Sequence, residues 1–262
     1  MQTLKVIDLF CGCGGFSLGF DYLDECFELV YALDNWEVAC QSYKANFPYV
    51  DVDCRDALEI KPSEIPRADV IIGGPPCQEF SIAKAHQAKL EHKPTYDTTL
   101  VDWFLGVVEY LKPKYWIMEN VPAVLKFIDV RNVKANIYRM CDYGVPQIRK
   151  RAFVGIYHDP EKAPCIVVFP AVTASEYKGG HTYRKGNLGI KLSSVFRRRC
   201  LIAEAKLVQT FPLDFIVLGS LKDQYTQIGN AVPPLMAYRL AKALIYPKTK
   251  TLEEILRDKP CQ

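Results

Sequence analysis

Apolar and polar positions alternate along this chain in short blocks that switch between strand-like and helix-like patterns. Leu4-Lys-Val-Ile-Asp-Leu-Phe10 is a β-rich run; it ends in Cys11-Gly-Cys-Gly-Gly15, and Phe16 to Leu23 predicts a helix. Glu28 to Leu33 predicts a second strand, closed by Asp34, and Glu37 to Asn46 a second helix. Ala68 to Ile72 predicts a third strand running into Gly73-Gly-Pro-Pro76. A helix from Leu100 to Leu111 leads to a fourth strand, Tyr115 to Met118. Strands alternating with helices predict an α/β fold, a parallel sheet with helices on both faces.

After Arg151 the pattern changes. Ala152 to Tyr157 predicts one more strand, but residues 158 to 200 carry Pro, Gly, Lys and Arg without periodicity. They read as a small separate lobe or an irregular insertion. Helices resume from Leu201 to Val208 and from Pro233 to Leu244, with a short one from Leu252 to Arg257 in a charged tail. The chain thus divides into 1–157, a small region 158–200, and a return segment 201–262.

Composition narrows this picture only a little. With 262 residues and 49% hydrophobic content, the chain can bury a sizeable core in one large domain, or in a large one plus a small one. A charged fraction of 24% argues against wholesale disorder. The net charge, 33 − 30 = +3, hints only weakly at a polyanionic partner. Ten scattered cysteines in a long chain with no leader-like segment predict a reduced, intracellular protein with mostly buried thiols, rather than a disulfide framework. Cys11-Gly-Cys13 lacks zinc-knuckle spacing, so no metal site is expected. No apolar run is long enough to span a membrane.

Two segments carry chemistry. The first is Phe10-Cys-Gly-Cys-Gly-Gly15, between a strand and a helix, where glycines let the backbone approach a nucleotide-like ligand. Asp34 lies at the end of the second strand, placed to accept hydrogen bonds from ribose hydroxyls. The loop lacks Gly-x-Gly-x-x-Gly spacing, which argues against NAD. Asp56, on the same edge, is either an adenine ligand or a surface turn acid. The second segment is Gly73-Gly-Pro-Pro-Cys77-Gln78. It follows a buried strand, and two prolines stiffen the turn that aims Cys77. A thiol at the carboxyl edge of an α/β sheet is a candidate nucleophile.

Five segments, in order, resemble the motifs of the DNA cytosine-5 methyltransferase family. They are Asp8-Leu-Phe-Cys-Gly-Cys-Gly-Gly-Phe-Ser17, Gly73-Gly-Pro-Pro-Cys-Gln78, Glu119-Asn-Val121, Gln147-Ile-Arg-Lys-Arg151 and Gln227-Ile-Gly-Asn-Ala-Val-Pro-Pro234. The resemblance implies a Rossmann-like, S-adenosylmethionine-dependent sheet with a small, irregular target-recognition lobe. It further implies that Cys77 adds to C6 of a flipped-out cytosine while Glu119 holds or protonates N3. Arg151 would contact the base near O2, with Arg149 supporting the site. S-adenosylmethionine would be held by Phe10, Gly12, Gly14, Asp34, Asp56, Ala57, Leu100, Asn230 and Val232. Gln78, Ser81, Tyr183, Arg184 and Arg198 would meet the DNA. The family also implies double-stranded DNA as partner and a prokaryotic, cytoplasmic, nucleoid-associated monomer, of the kind that can be paired with a cognate restriction endonuclease.

Two stretches are short for that family. Val124 to Cys141 has room for a strand, Val133 to Arg139, and barely one helical turn, which predicts a missing or truncated helix on one face of the sheet. Residues 158 to 197 leave little room for target recognition, although Gly179-Gly-His-Thr-Tyr-Arg-Lys185 resembles a family pattern there. Residues 79 to 98, polar and rich in Lys and His, read as a loop that closes over the base. Two other readings stand beside the leading one. A tRNA methyltransferase of the same family would carry a Cys-Phe-Thr segment, which is not found. An inactive DNA-binding homologue would lose Cys77 or Glu119, and both are present.

Overall fold

The computed structural model describes residues 2–76, 78–79, 96–174 and 200–247. Cys77, Ser81, most of the 79–98 loop, the Gly179-to-Lys185 segment with Tyr183 and Arg184, Arg198, and the 252–257 helix lie outside the described residues. Seven strands form one sheet: β1 (Leu4–Leu9), β2 (Phe27–Leu33), β3 (Asp51–Asp53), β4 (Val70–Gly73), β7 (Tyr115–Asn120), β8 (Lys134–Arg139) and β9 (Lys150–Ile156). A separate two-stranded pair joins β5 (Gln78–Glu79) to β6 (Tyr96–Asp97). The sheet order is β3-β2-β1-β4-β7-β9-β8.

Strands β1 to β4 and β7 are parallel, as expected, but β9 runs antiparallel to both β7 and β8. The sheet is therefore mixed, which corrects the all-parallel expectation. The physical reason is length. Only residues 140 to 149 separate β8 from β9. A parallel return needs a crossover of a dozen or more residues, usually through a helix.

Side chains alternate across each strand, so the sheet has two distinct faces. Val6, Ile72, Ile117 and Phe153 face one cluster, packed by α1 (Gly15–Asp21) and α2 (Glu37–Asn46). The same cluster takes in α4 (Ile202–Val208), α5 (Leu221–Asn230) and α6 (Pro234–Ile245). Ile7, Leu9, Ile71 and Met118 face the other cluster, packed by α3 (Thr99–Leu111) through Val101, Phe104 and Val107. Beyond α3 that face carries short 3-10 turns, including Pro122–Lys126 where a full helix was expected to be missing or truncated. Ile137 and Ile156 are about half exposed at that edge.

The return segment is fastened to the first domain. Gly19 lets α1 and α6 touch: a Cβ there would lie 2.3 Å from the Tyr238 nitrogen. Asn46 of α2 exchanges two hydrogen bonds with the Ile216 backbone, and Ser42 Oγ accepts from Leu218 N. Gln147, fully buried, donates to Gln209 and to the Val208 carbonyl and accepts from Val172 N. Residues 158–174 contain no helix; they lie along the body through bridges Tyr143↔Ala163 and Gln147↔Phe169.

Candidate active site

The parallel strands turn outward in opposite directions from β1 and β4, so a crevice opens at their carboxyl ends. A cleft of about 390 Å³ occupies it. Its walls come from all parts of the chain: the β1 turn (Asp8, Phe10, Gly12), the β2 end (Asp34, Asn35, Trp36), Gly74 to Pro76, Glu119 to Val121, Arg149, Arg151, and Gln227 with Asn230 to Val232.

The β1 turn is tight. Phe10, Gly12 and Gly14 all have positive φ, at 65°, 54° and 97°. A non-glycine residue in that region is uncommon and marks a conformation held by its surroundings. At Gly12 a Cβ would meet nothing within 4 Å, so the backbone stands open to the cleft. Gly14 points elsewhere: a Cβ there would lie 2.5 Å from the Phe47 ring, so this glycine serves the turn and its packing on α2. Asp34 ties the turn to α2. One oxygen accepts from Gly12 N at 2.8 Å and the other from Trp36 N at 2.9 Å. Burial raises the Asp34 pKa, and those backbone donors counter it.

At the opposite wall, register brings three charged residues together. Glu119 on β7 stands directly across from Phe153 on β9. Residues 149, 151 and 153 share one face by strand alternation, so both arginines reach the Glu119 side. Arg151 Nε lies 2.9 Å from Glu119 Oε1. Burial raises the Glu119 pKa, opposed by Arg151 and then Arg149. Arg149 is 5% exposed, and its Nε and Nη1 have no hydrogen-bond partner. Burial lowers its pKa to about 9, with Arg151 pushing the same way and Glu119 resisting. Beside them, Asn120 Nδ2 donates to the Pro75 carbonyl at 2.9 Å and its Oδ1 accepts from Val121 N at 2.8 Å. Asn120 therefore clamps the Gly74-to-Pro76 turn, which leads into Cys77, to the strand that carries Glu119.

Of the residues expected to hold a donor, Phe10, Gly12, Asp34, Asn230 and Val232 line the cleft. Asp56, Ala57 and Leu100 do not: Asp56 caps a 3-10 turn through Leu58 N, Ala57 is buried in the α3-side core, and Leu100 packs against that core. Gln78 belongs to β5. Sequence reasoning passed over Asp8, Trp36, Asn120 and Gln227. The signal for Asp8 was visible: a lone acid between Ile7 and Leu9 in an otherwise apolar buried strand has to have a use.

A model of C-5 cytosine-specific DNA methylases matches residues 4–132 and 170–246. The chain belongs to that family. It is 30% identical to the type II methyltransferase M.HgiDI of Herpetosiphon aurantiacus, over 92% of this chain and 94% of the relative. It is 29% identical to M.HindV of Haemophilus influenzae, over 92% and 96%; that alignment runs to 306 positions, more than this chain's 262, so the relative carries stretches with no counterpart here. Among solved structures, the methyltransferase EhMeth of Entamoeba histolytica matches with a TM-score of 0.68 at 17% identity, covering 95% of this chain and 100% of that one. A DNMT2 mutant of Spodoptera frugiperda matches at 0.65 and 18%, covering 92% and 99%. These likenesses support the fold: a Rossmann-like sheet of the S-adenosylmethionine-dependent kind. Among the described residues no helix is long and apolar enough to cross a membrane.

Proposed function

We propose that this protein methylates C5 of cytosine in double-stranded DNA, with Cys77 as nucleophile and S-adenosylmethionine as donor. The observation that carries the reading is one cleft walled by the open glycine turn with Asp34 and Asn230 on one side, and by buried Glu119 with Arg149 and Arg151 on the other. The donor fits what the cleft offers: open backbone at Gly12, carboxylates at Asp8 and Asp34, and the indole of Trp36. Phe10, Gly12, Asp34, Asn230 and Val232 would hold it. When bound, S-adenosylmethionine supplies an electrophilic methyl group on a sulfonium sulfur.

The chain's residues address the other partner. C5 of cytosine is a poor nucleophile. Addition of the Cys77 thiolate to C6 pushes an electron pair through the ring, and a proton delivered at N3 leaves a neutral enamine that is nucleophilic at C5. Glu119 suits that delivery, because its raised pKa lets it carry a proton nearer neutral pH than an ordinary carboxylic acid. Arg151 would hold the base near O2, and Arg149 would help keep the thiolate charged. After methylation, loss of the C5 proton to water or another base expels Cys77 and restores the ring. A cytosine in a duplex must first be flipped out, at about a few kcal/mol.

The 158–200 region would meet the target sequence, with Tyr183, Arg184 and Arg198 on bases or phosphates and Gln78 and Ser81 near the flipped nucleotide. We further propose a cytoplasmic monomer acting on nucleoid DNA, within a restriction-modification system. The test is transfer of label from S-adenosylmethionine to duplex DNA or to tRNA, beside Cys77→Ser. Label in DNA that Cys77→Ser abolishes supports the proposal. Label in tRNA alone, or DNA binding without transfer, sinks it.

A further inference from the structure

Gln209 closes helix α4, and Gln147 stands two residues before Arg149; both are fully buried and neither touches the cleft. Gln209 Nε2 donates to the Ile228 carbonyl at 2.9 Å and to the Ala231 carbonyl at 2.8 Å. Gln147 Nε2 donates to Gln209 Oε1 and, at 3.2 Å, to the Val208 carbonyl, while its Oε1 accepts from Val172 N at 3.3 Å. Each Nε2 thus uses both of its hydrogens, and each Oε1 is engaged. A buried amide pair so fully bonded is stiff. It also serves the last turn of α5, whose carbonyls find no partner within the helix.

The two residues after Gln209 fasten the same place. Thr210 has φ 67°, an outlier for a β-branched residue, and its Oγ1 accepts from Leu235 N at 3.1 Å in the first turn of α6. Phe211 is buried against the glycine turn: a Cβ on Gly15 would lie 2.9 Å from its ring and 2.5 Å from the Val232 carbonyl. The Asn230-to-Val232 link between α5 and α6 is therefore held from behind by Gln209, Thr210 and Phe211, and pressed onto the β1 turn in front. Through Gln147, the same hub is joined to the chain that enters β9 with Arg149 and Arg151, and to Val172.

We propose that Gln147 and Gln209 are positioning residues for methyl transfer: their amide pair fixes the donor wall at Asn230–Val232 against the arginine wall that holds the base. This rests on the reading of the cleft as a methyltransferase site. Donor affinity draws also on Phe10, Gly12 and Asp34, none of which the pair touches. Loosening the pair should then spoil the alignment of donor and base more than the binding of either.

Single-turnover transfer of label from S-adenosylmethionine to duplex DNA, beside calorimetric titration with S-adenosylhomocysteine, tests this on Gln147→Met, Gln209→Met and Gln209→Asn. The asparagine keeps an amide but is one methylene short of its carbonyls, so it disturbs folding least. Binding of S-adenosylhomocysteine also reports that each variant is folded. The rate should fall roughly 10- to 100-fold, the scale of a 1 Å misplacement, with affinity for S-adenosylhomocysteine within about threefold of wild type, the signature of an interaction that acts on the transition state. Gly19→Ala, which strains the α1–α6 contact instead, should keep the wild-type rate at temperatures where it is folded. Equal losses of rate and affinity, an unchanged rate in Gln209→Asn, or the same rate loss in Gly19→Ala would overturn the proposal and leave the pair a plain packing element. If the wild-type protein transferred no label, the methyltransferase reading itself would fall, and this proposal with it.

Discussion

Asp8→Asn should stabilise the protein above neutral pH while impairing it as an enzyme. The substitution keeps the side-chain volume and keeps an oxygen for the Ser17 hydroxyl. In the folded protein the Asp8 carboxyl titrates near 7, against an ordinary value of 3.8. Below about pH 4 both states hold the proton and nothing is lost. Between about 4 and 7 the unfolded chain is ionised and the folded one is not, so stability falls by about 1.36 kcal/mol per pH unit. Above 7 the loss is complete and level. The gap of about three pH units sets a ceiling of about 4 kcal/mol. An amide N–H₂ turned toward the cleft gives some of that back, so roughly 1–3 kcal/mol should remain. Urea unfolding of both proteins from pH 5 to 8.5 measures it. The difference between them should grow as pH rises to about 7 and then level off. A variant less stable than wild type at pH 8, or a difference flat across the whole range, would refute the argument that Asp8 is a strained, ionisable group.

Three further substitutions probe the rest of the site and its scaffold. Glu119→Gln removes the proton carrier but keeps the shape, so methyl transfer should fall by about 10²–10⁴-fold in single-turnover assays with donor affinity unchanged; retention of more than a tenth of the rate would remove Glu119 from the mechanism. Asn120→Ala frees the Pro75 carbonyl and the turn before Cys77. It should lower kcat by roughly 10- to 100-fold, the scale of a 1 Å misplacement, with little change in KM for the donor, and an equal effect on both would argue for general unfolding instead. Gly19→Ala forces a Cβ into the Tyr238 backbone at 2.3 Å, and should cost about 1–3 kcal/mol by thermal or urea unfolding while leaving the cleft residues intact.

Much of the architecture was legible because it rests on local patterns. Glu37–Asn46 was bounded correctly as a helix by its periodicity, and the strands expected at 28–33 and 68–72 were located by their flanking turn residues, the structure giving Phe27–Leu33 and Val70–Gly73. The truncated helix after β7 followed from a plain shortage of residues. The orientation of β9 was equally readable and was missed, since the short link after Arg139 cannot house a crossover. Helix α5 hid behind its polarity: its buried apolar side chains are only Tyr225 and Ile228, three positions apart on one helix face, with Ser220 and Asp223 forming a capping box. What no local pattern carries is pairing over distance. Gln147 meets Gln209 across 62 positions, and Asn120 meets Pro75 across 45. Such contacts depend on which strand ends the topology brings together. For the same reason Asp56 and Leu100, plausible by motif order, fall outside the cleft, whereas Asp8 and Trp36 fall inside it.

The distribution of charge gives the cleft a direction. Burial raises the pKa of all three of its carboxyl groups. Among the described residues, the arginines that counter this stand on one side only, at Glu119. Asp34 is countered by backbone N–H groups, and Asp8 by the hydroxyl and backbone of Ser17. A donor that carries positive charge at both its sulfonium and its ammonium is drawn to the side whose acids lack a resident cation. A base that gains electron density as a thiolate adds to it is drawn to the side with two guanidinium groups. Swapping the partners would put cation against arginine and a developing anion against unpaired carboxylates. On the proposed reading, the orientation of both partners follows from this charge asymmetry and not from the target-recognition region.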